Sequence, residues 1–149
     1  MPVFLDDQQE LEVDGDDLVA LTWHVLREQR VPDDMEVSLL LVDEPTMADL
    51  NHVHMEADGP TDVLAFPIDE PGTTPPEEPA ILGDVVLCPP VAARQAREHG
   101  RSTVDEVRML TVHGLLHLLG MDHADPDGER EMFALTDRLL AGHAAGGGR

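Results

Sequence analysis

Apolar positions along this chain follow two rhythms, short continuous runs and stripes spaced three and four residues apart. The runs "PVFLDD" (2–7), "MEVSLLLVD" (35–43), "TDVLAFP" (61–67) and "AILGDVVLC" (80–88) predict four strands. Gly83, inside the last of these, marks a bulge or a close backbone approach. Between them, Asp14 or Asp16 can cap a helix to about Gln29, with Leu18, Leu21, Val25 and Leu26 on one side. Pro45 suits the first position of a helix reaching about Ala57. Residues 67–80 carry five prolines and predict a polar loop.

The second half is read as helical. Two prolines open "PPVAARQAREHG" and Gly100 closes it. Ser102 caps the next helix, with Asp105 three residues on in capping-box manner, and that helix runs through "EVRMLTVHGLLHLLG" to a stop near Gly120. The stripe Met132, Leu135, Leu139 and Leu140 predicts a last helix over "DPDGEREMFALTDRLLAG". The expected architecture is a single α+β domain over residues 1–143, a small, mostly four-stranded sheet packed with about five helices. A disordered tail is expected over 144–149.

Composition sharpens this picture. The 149 residues include three Phe, one Trp and no Tyr, so Leu, Val, Ala and Met must build the core. A single cysteine, Cys88, cannot form an internal disulfide and suits a reducing compartment. The start "MPVFLDDQQE" does not read as a signal peptide, and no apolar run is long enough to span a membrane, so a cytoplasmic location is expected. The net charge is -22, with no lysine. This argues against a general nucleic-acid binder, and no DNA partner is expected. Residues 1–80 hold 21 acidic residues and two arginines; residues 81–149 hold ten and seven. The first half reads as a solubilising surface, and the half that carries the candidate chemistry is close to neutral.

That chemistry lies in "HGLLHLLGMDH" (113–123). On a helix His113 and His117 lie about 40° apart on one face, roughly 6 Å apart along the axis, so both imidazoles can reach one cation. Gly120 lets the chain reverse, and His123 returns as a third donor. Three neutral nitrogens with an open fourth position describe a catalytic zinc site, a helix of the zincin type. Nickel, copper or cobalt also suit such donors. From Met109 to Leu119 the surroundings are otherwise apolar except for Thr111 and Gly114, and polar rings on such a helix need a partner. One family of zinc proteases spaces its ligands as H-E-x-x-H-x-x-G-x-x-H. Here Gly114 stands where the glutamate base would, so peptide hydrolysis by that route is disfavoured. A phosphodiester, whose RNA form can bring its own 2′-hydroxyl nucleophile, asks less of the protein.

Taken with "VSLLLVDEPTMADLN", "PTDVLAFP" (60–67), "LGDVVLCPPVAARQA" (82–96), "TVHGLLHLLGMDH" (111–123) and the trailing "EREMF", this motif makes nearly the whole chain resemble the YbeY family of bacterial metal-dependent endoribonucleases. The resemblance implies a zinc-dependent, single-strand-specific endoribonuclease. It would act in rRNA 3′-end maturation, ribosome biogenesis and ribosome quality control, with ribosomal RNA and the small ribosomal subunit as partners. It implies His113, His117 and His123 as ligands of one Zn2+ ion, and a cleft between the sheet and the zinc helix. It leaves the catalytic base and nucleophile unassigned. Many members carry an arginine a few residues before "PTDVLAFP", where this chain has Met55. Two alternatives stand beside this reading: a metallopeptidase, and a non-catalytic, metal-stabilised ribosome-associated factor.

Other residues draw plainer expectations. Arg94, Arg97 and Arg101 fall near one side of a helix wheel and read as an RNA contact or a solvated face. Thr61, Asp62 and Asp84 lie near the metal if their strands end at the cleft, or else bond locally to backbone. Asp122 either orients His123 or faces water. His52 and His54 point to opposite sides of their helix. His24, His99 and His143 are expected to be surface or partly buried residues, and Cys88 a small buried side chain.

Overall fold

The computed structural model describes residues 2–121 and 125–145. The four strands form where the apolar runs predict them: β1 (Val3–Asp7), β2 (Met35–Leu41), β3 (Val63–Pro67) and β4 (Ala80–Leu87). They make one sheet in the order β1-β2-β4-β3, with β1, β2 and β4 parallel and β3 antiparallel to β4. The helices are α1 (Gly15–Glu28), α2 (Glu44–Met55), α3 (Pro89–His99), α4 (Thr103–Leu118) and α5 (Pro126–Ala145). Among the described residues no helix is long and apolar enough to cross a membrane.

Side chains that alternate along the strands serve two cores. Val37, Leu39, Leu41, Val85 and Leu87 join Leu21, Val25 and Leu26 of α1, Val112, Leu115 and Leu116 of α4, and Met132 and Leu139 of α5. The intervening positions Leu64, Val86 and Cys88 pack with Met47 of α2 and Val91 of α3 in a smaller cluster on the opposite face. The sheet is thus covered most heavily on the α4 side.

The helix ends follow their capping chemistry. Carboxylate oxygens of Asp14 and Asp43 accept the Asp17 and Thr46 N–H groups at 3.1 and 2.9 Å, and Ser102 Oγ accepts that of Asp105 at 3.1 Å. These bonds satisfy donors that a first helical turn leaves unpaired. Gly100 closes α3 with φ +67°. Glu56 closes α2 with φ +53°, a left-handed position that usually holds glycine.

Two glycines bring α4 onto the sheet. Between Ile81 and Gly83 the pairing with β2 slips by one residue, and Gly83 has φ +150°. A Cβ there would meet the Phe66 carbonyl oxygen at 2.4 Å and Leu118 Cδ2 at 2.8 Å. Both readings of this glycine, bulge and close approach, apply together. On α4, a Cβ at Gly114 would stand 2.6 Å from Val85 Cγ1 and 3.3 Å from Val63 Cγ2.

α5 differs from its expected stripe. The buried positions are Met132, Thr136, Leu139 and His143, while Leu135 and Leu140 are half-buried. The Thr136 hydroxyl donates to the Met132 carbonyl at 2.8 Å, so a polar residue can lie on the buried face without an unmet bond. His143 is not a surface residue. Its Nε2 lies 3.0 Å from Asp17 Oδ1 of α1, and Arg108 Nε of α4 donates to Asp17 Oδ2 at 2.8 Å, joining three helices at one carboxylate. Ala144 and Ala145, placed in the tail by their composition, continue the helix; residues 146–149 lie outside the described residues.

Candidate metal centre

α4 is the central helix of the domain. It touches α1, α3, α5, β3 and β4. From Leu110 to Leu118 every residue is buried except His113 and His117, which are half-buried. Thr111 resolves its own polarity by donating to the Val107 carbonyl at 2.8 Å. The two imidazoles therefore form the polar, half-buried edge of an otherwise apolar segment, one helical turn apart. Phe133 of α5 packs beside the first of them: its ring centroid lies 5.1 Å from that of His113, with the planes inclined at 71°.

Two imidazoles on one helix face suit a borderline transition-metal ion such as Zn2+. Among the described residues no group of three His, Cys, Asp or Glu is arranged to hold an ion. The third expected donor, His123, and its neighbour Asp122 lie outside the described residues.

Gly114 answers for the missing glutamate in steric terms. The direction in which a side chain would leave position 114 is filled by Val85 and Val63. A glutamate carboxylate at this position would be driven into the sheet. The close approach that seats the histidine helix is incompatible with a base there.

The other candidates are brought together only in part. The Asp62 carboxylate accepts the Val63 N–H at 2.7 Å and the Thr61 hydroxyl at 3.3 Å, so these residues shape the entry to β3. Asp84 alternates with Val85 and faces away from α4, into a groove lined also by Phe4, Ser38, His54 and Phe66. The His54 ring packs edge-on against Phe66 at 5.0 Å, while His52 is exposed. Met55 ends α2 with 60% of its surface exposed.

The arginines do not form one stripe. Arg94 pairs with Glu44 at 2.5 Å, and Arg97 is exposed. Arg101 lies beyond the end of α3, with Nη1 3.0 Å from Met109 Sδ. Cys88 is fully buried, and burial pushes its thiol above the ordinary value, opposing thiolate formation.

Two residues, one on the histidine helix and one beside it, escaped sequence reasoning. Glu106 is 1% exposed, with Oε1 3.7 Å from His99 Nδ1 and 3.8 Å from Arg101 Nη1. Its position two turns before His113 was a signal, because seven residues nearly complete two turns. Phe133 gave no local signal, since its contact with His113 crosses from one helix to another.

The layout is a histidine pair on a central helix laid over a small mixed sheet. The family model described as Endoribonuclease YbeY matches residues 4–144, and the chain belongs to this family of endoribonucleases. A protein named Endoribonuclease YbeY from Salinispora tropica is 54% identical over 149 residues, covering 95% of each chain. One of the same name from Beutenbergia cavernae is 50% identical over 149 residues, covering 98% of this chain and 99% of its own. The fold is similar to the solution structure of TM1509 from Thermotoga maritima, with TM-score 0.60 and 29% identity over 94% of this chain and 87% of the other.

Proposed function

We propose that this chain is a zinc-dependent, single-strand-specific endoribonuclease. It acts in the cytoplasm on ribosomal RNA, with the small ribosomal subunit as partner, in 3′-end maturation, ribosome biogenesis and quality control. His113, His117 and His123 hold one ion. The observation that carries the reading is the pair His113 and His117, half-buried one turn apart on an otherwise buried helix of an endoribonuclease-family chain. When bound, the ion supplies the Lewis acidity that makes water a nucleophile near neutral pH. The chain's own part is placement. Gly83 and Gly114 let α4 sit hard on the sheet, which places the helix that carries both imidazoles.

The peptidase alternative loses ground at Gly114, where Val85 occupies the space a glutamate base needs. The non-catalytic reading is favoured by Met55, an exposed thioether where many relatives carry an arginine. One experiment separates them. Purified protein is loaded with zinc and incubated with single-stranded RNA, with a ribosomal RNA fragment spanning a 3′ end, and with a peptide library. Cleavage of RNA that stops with chelation and is absent in His117→Ala supports the proposal. Ribosome co-sedimentation with no cleavage by the zinc-loaded protein supports the non-catalytic factor and overturns it.

A further inference from the structure

Phe133 is an exposed aromatic ring standing against a candidate ligand. It is 45% exposed, yet its centroid lies only 5.1 Å from that of His113. It does not anchor α5, whose buried positions are Met132, Thr136, Leu139 and His143. Lone exposed apolar side chains are ordinary on protein surfaces; the ring contact with His113 is what sets this one apart. Phe4 and Phe66 line the groove on the opposite face of the sheet.

Charge gives the ring its significance. The net charge of -22 lies mostly in residues 1–80, but residues 81–149 still hold ten acidic residues against seven arginines. Around Phe133 the helix bears Glu129, Glu131 and Asp137, against Arg138 and an Arg130 already paired with Asp127. Attraction for phosphate is correspondingly weak at this surface. A single strand held beside His113 gains affinity from an uncharged source as well, and stacking of bases on aromatic rings is one that tolerates any sequence.

We propose that Phe133 is a base-stacking platform: the nucleobase beside the scissile phosphate lies on its ring while that phosphate faces His113 and His117. This rests on the endoribonuclease reading above and deepens it. It also accounts for a preference for single strands, since a base within a duplex must leave its stack before it can lie on a protein ring.

The test uses zinc-loaded wild type, Phe133→Leu and Phe133→Tyr. The probe is a nuclease-resistant 2′-O-methyl octanucleotide, intact or with one abasic position moved along it, and binding is read by fluorescence anisotropy. One abasic position weakens wild-type binding about tenfold. Phe133→Leu weakens binding of the intact probe by a similar factor and no longer senses that position. Phe133→Tyr matches wild type, and all three retain equal zinc. If Phe133→Leu binds like wild type, or keeps the abasic penalty, the proposal is overturned. Loss of zinc from Phe133→Leu also overturns it, because the ring then serves His113 rather than RNA. A wild type that neither binds the probe nor cleaves its unmodified counterpart overturns the nuclease reading itself.

Discussion

Gly114 of α4 and Val85 of β4 approach so closely that not even a methyl group fits between them: a Cβ at position 114 would lie 2.6 Å from Val85 Cγ1. Replacing glycine by alanine inside a helix ordinarily adds about 1 kcal/mol of stability. Here overpacking of about 1–3 kcal/mol opposes that gain. Gly114→Ala is expected to lower stability by about 1 kcal/mol in urea titration, and Val85→Ala in the same chain to recover part of the loss. A midpoint at or above that of wild type would show that the sheet yields freely at Val85.

Gly83→Ala is a harsher change. The clash at 2.4 Å is with a backbone oxygen, that of Phe66, and the φ of +150° disfavours any side chain. The expected cost is about 3 kcal/mol or more. Thermal unfolding followed by circular dichroism should show a much lower or absent cooperative transition.

The carboxylate that joins α1, α4 and α5 gives stability a defined pH dependence. Burial alone would raise the Asp17 pKa, but the hydrogen bonds and charges of Arg108 and His143 outweigh it and hold the group below its ordinary 3.8. A depressed carboxylate pKa contributes stability in full above the unfolded value, and the contribution disappears as pH falls through the folded value. Asp17→Asn is expected to cost about 1.5 kcal/mol near neutral pH, allowing for solvent screening at the partly exposed Arg108. Denaturation series at several pH values should show the gap between wild type and variant closing below about pH 4. A gap that stayed constant from pH 7 to pH 3 would rule out the charged contact as its source.

Glu56 occupies the left-handed end of α2 at φ +53°. A residue with a Cβ there costs roughly 1–2 kcal/mol relative to glycine. Glu56→Gly should therefore raise the melting temperature, with a gain of about 1 kcal/mol by chemical denaturation. No gain would mean that the glutamate side chain makes a compensating interaction.

Local chemistry made much of this molecule legible. Asp14, Ser102 and Gly100 mark helix ends through bonds and dihedral angles that depend on neighbours a few residues away. His113 and His117 are legible for the same reason, since a helix fixes their separation. The order β1-β2-β4-β3 is different in kind, because an apolar run says that a strand is buried and not which strand lies beside it. The burial of His143 depends on Asp17, 126 positions away, and the reason for Gly114 depends on Val85. Such contacts exist only after the topology is set.

The strand order also sets a schedule for the growing chain. β2 lies between β1 and β4, so one of its edges stays open until synthesis has passed Leu87. α4 rests on β3 and β4, so the places of its histidines depend on those strands being paired. Non-local pairing of this kind is slow to form and leaves strand edges open in the meantime. A fault that delays the entry of β4 between its neighbours is therefore felt as loss of the histidine site, with every histidine intact.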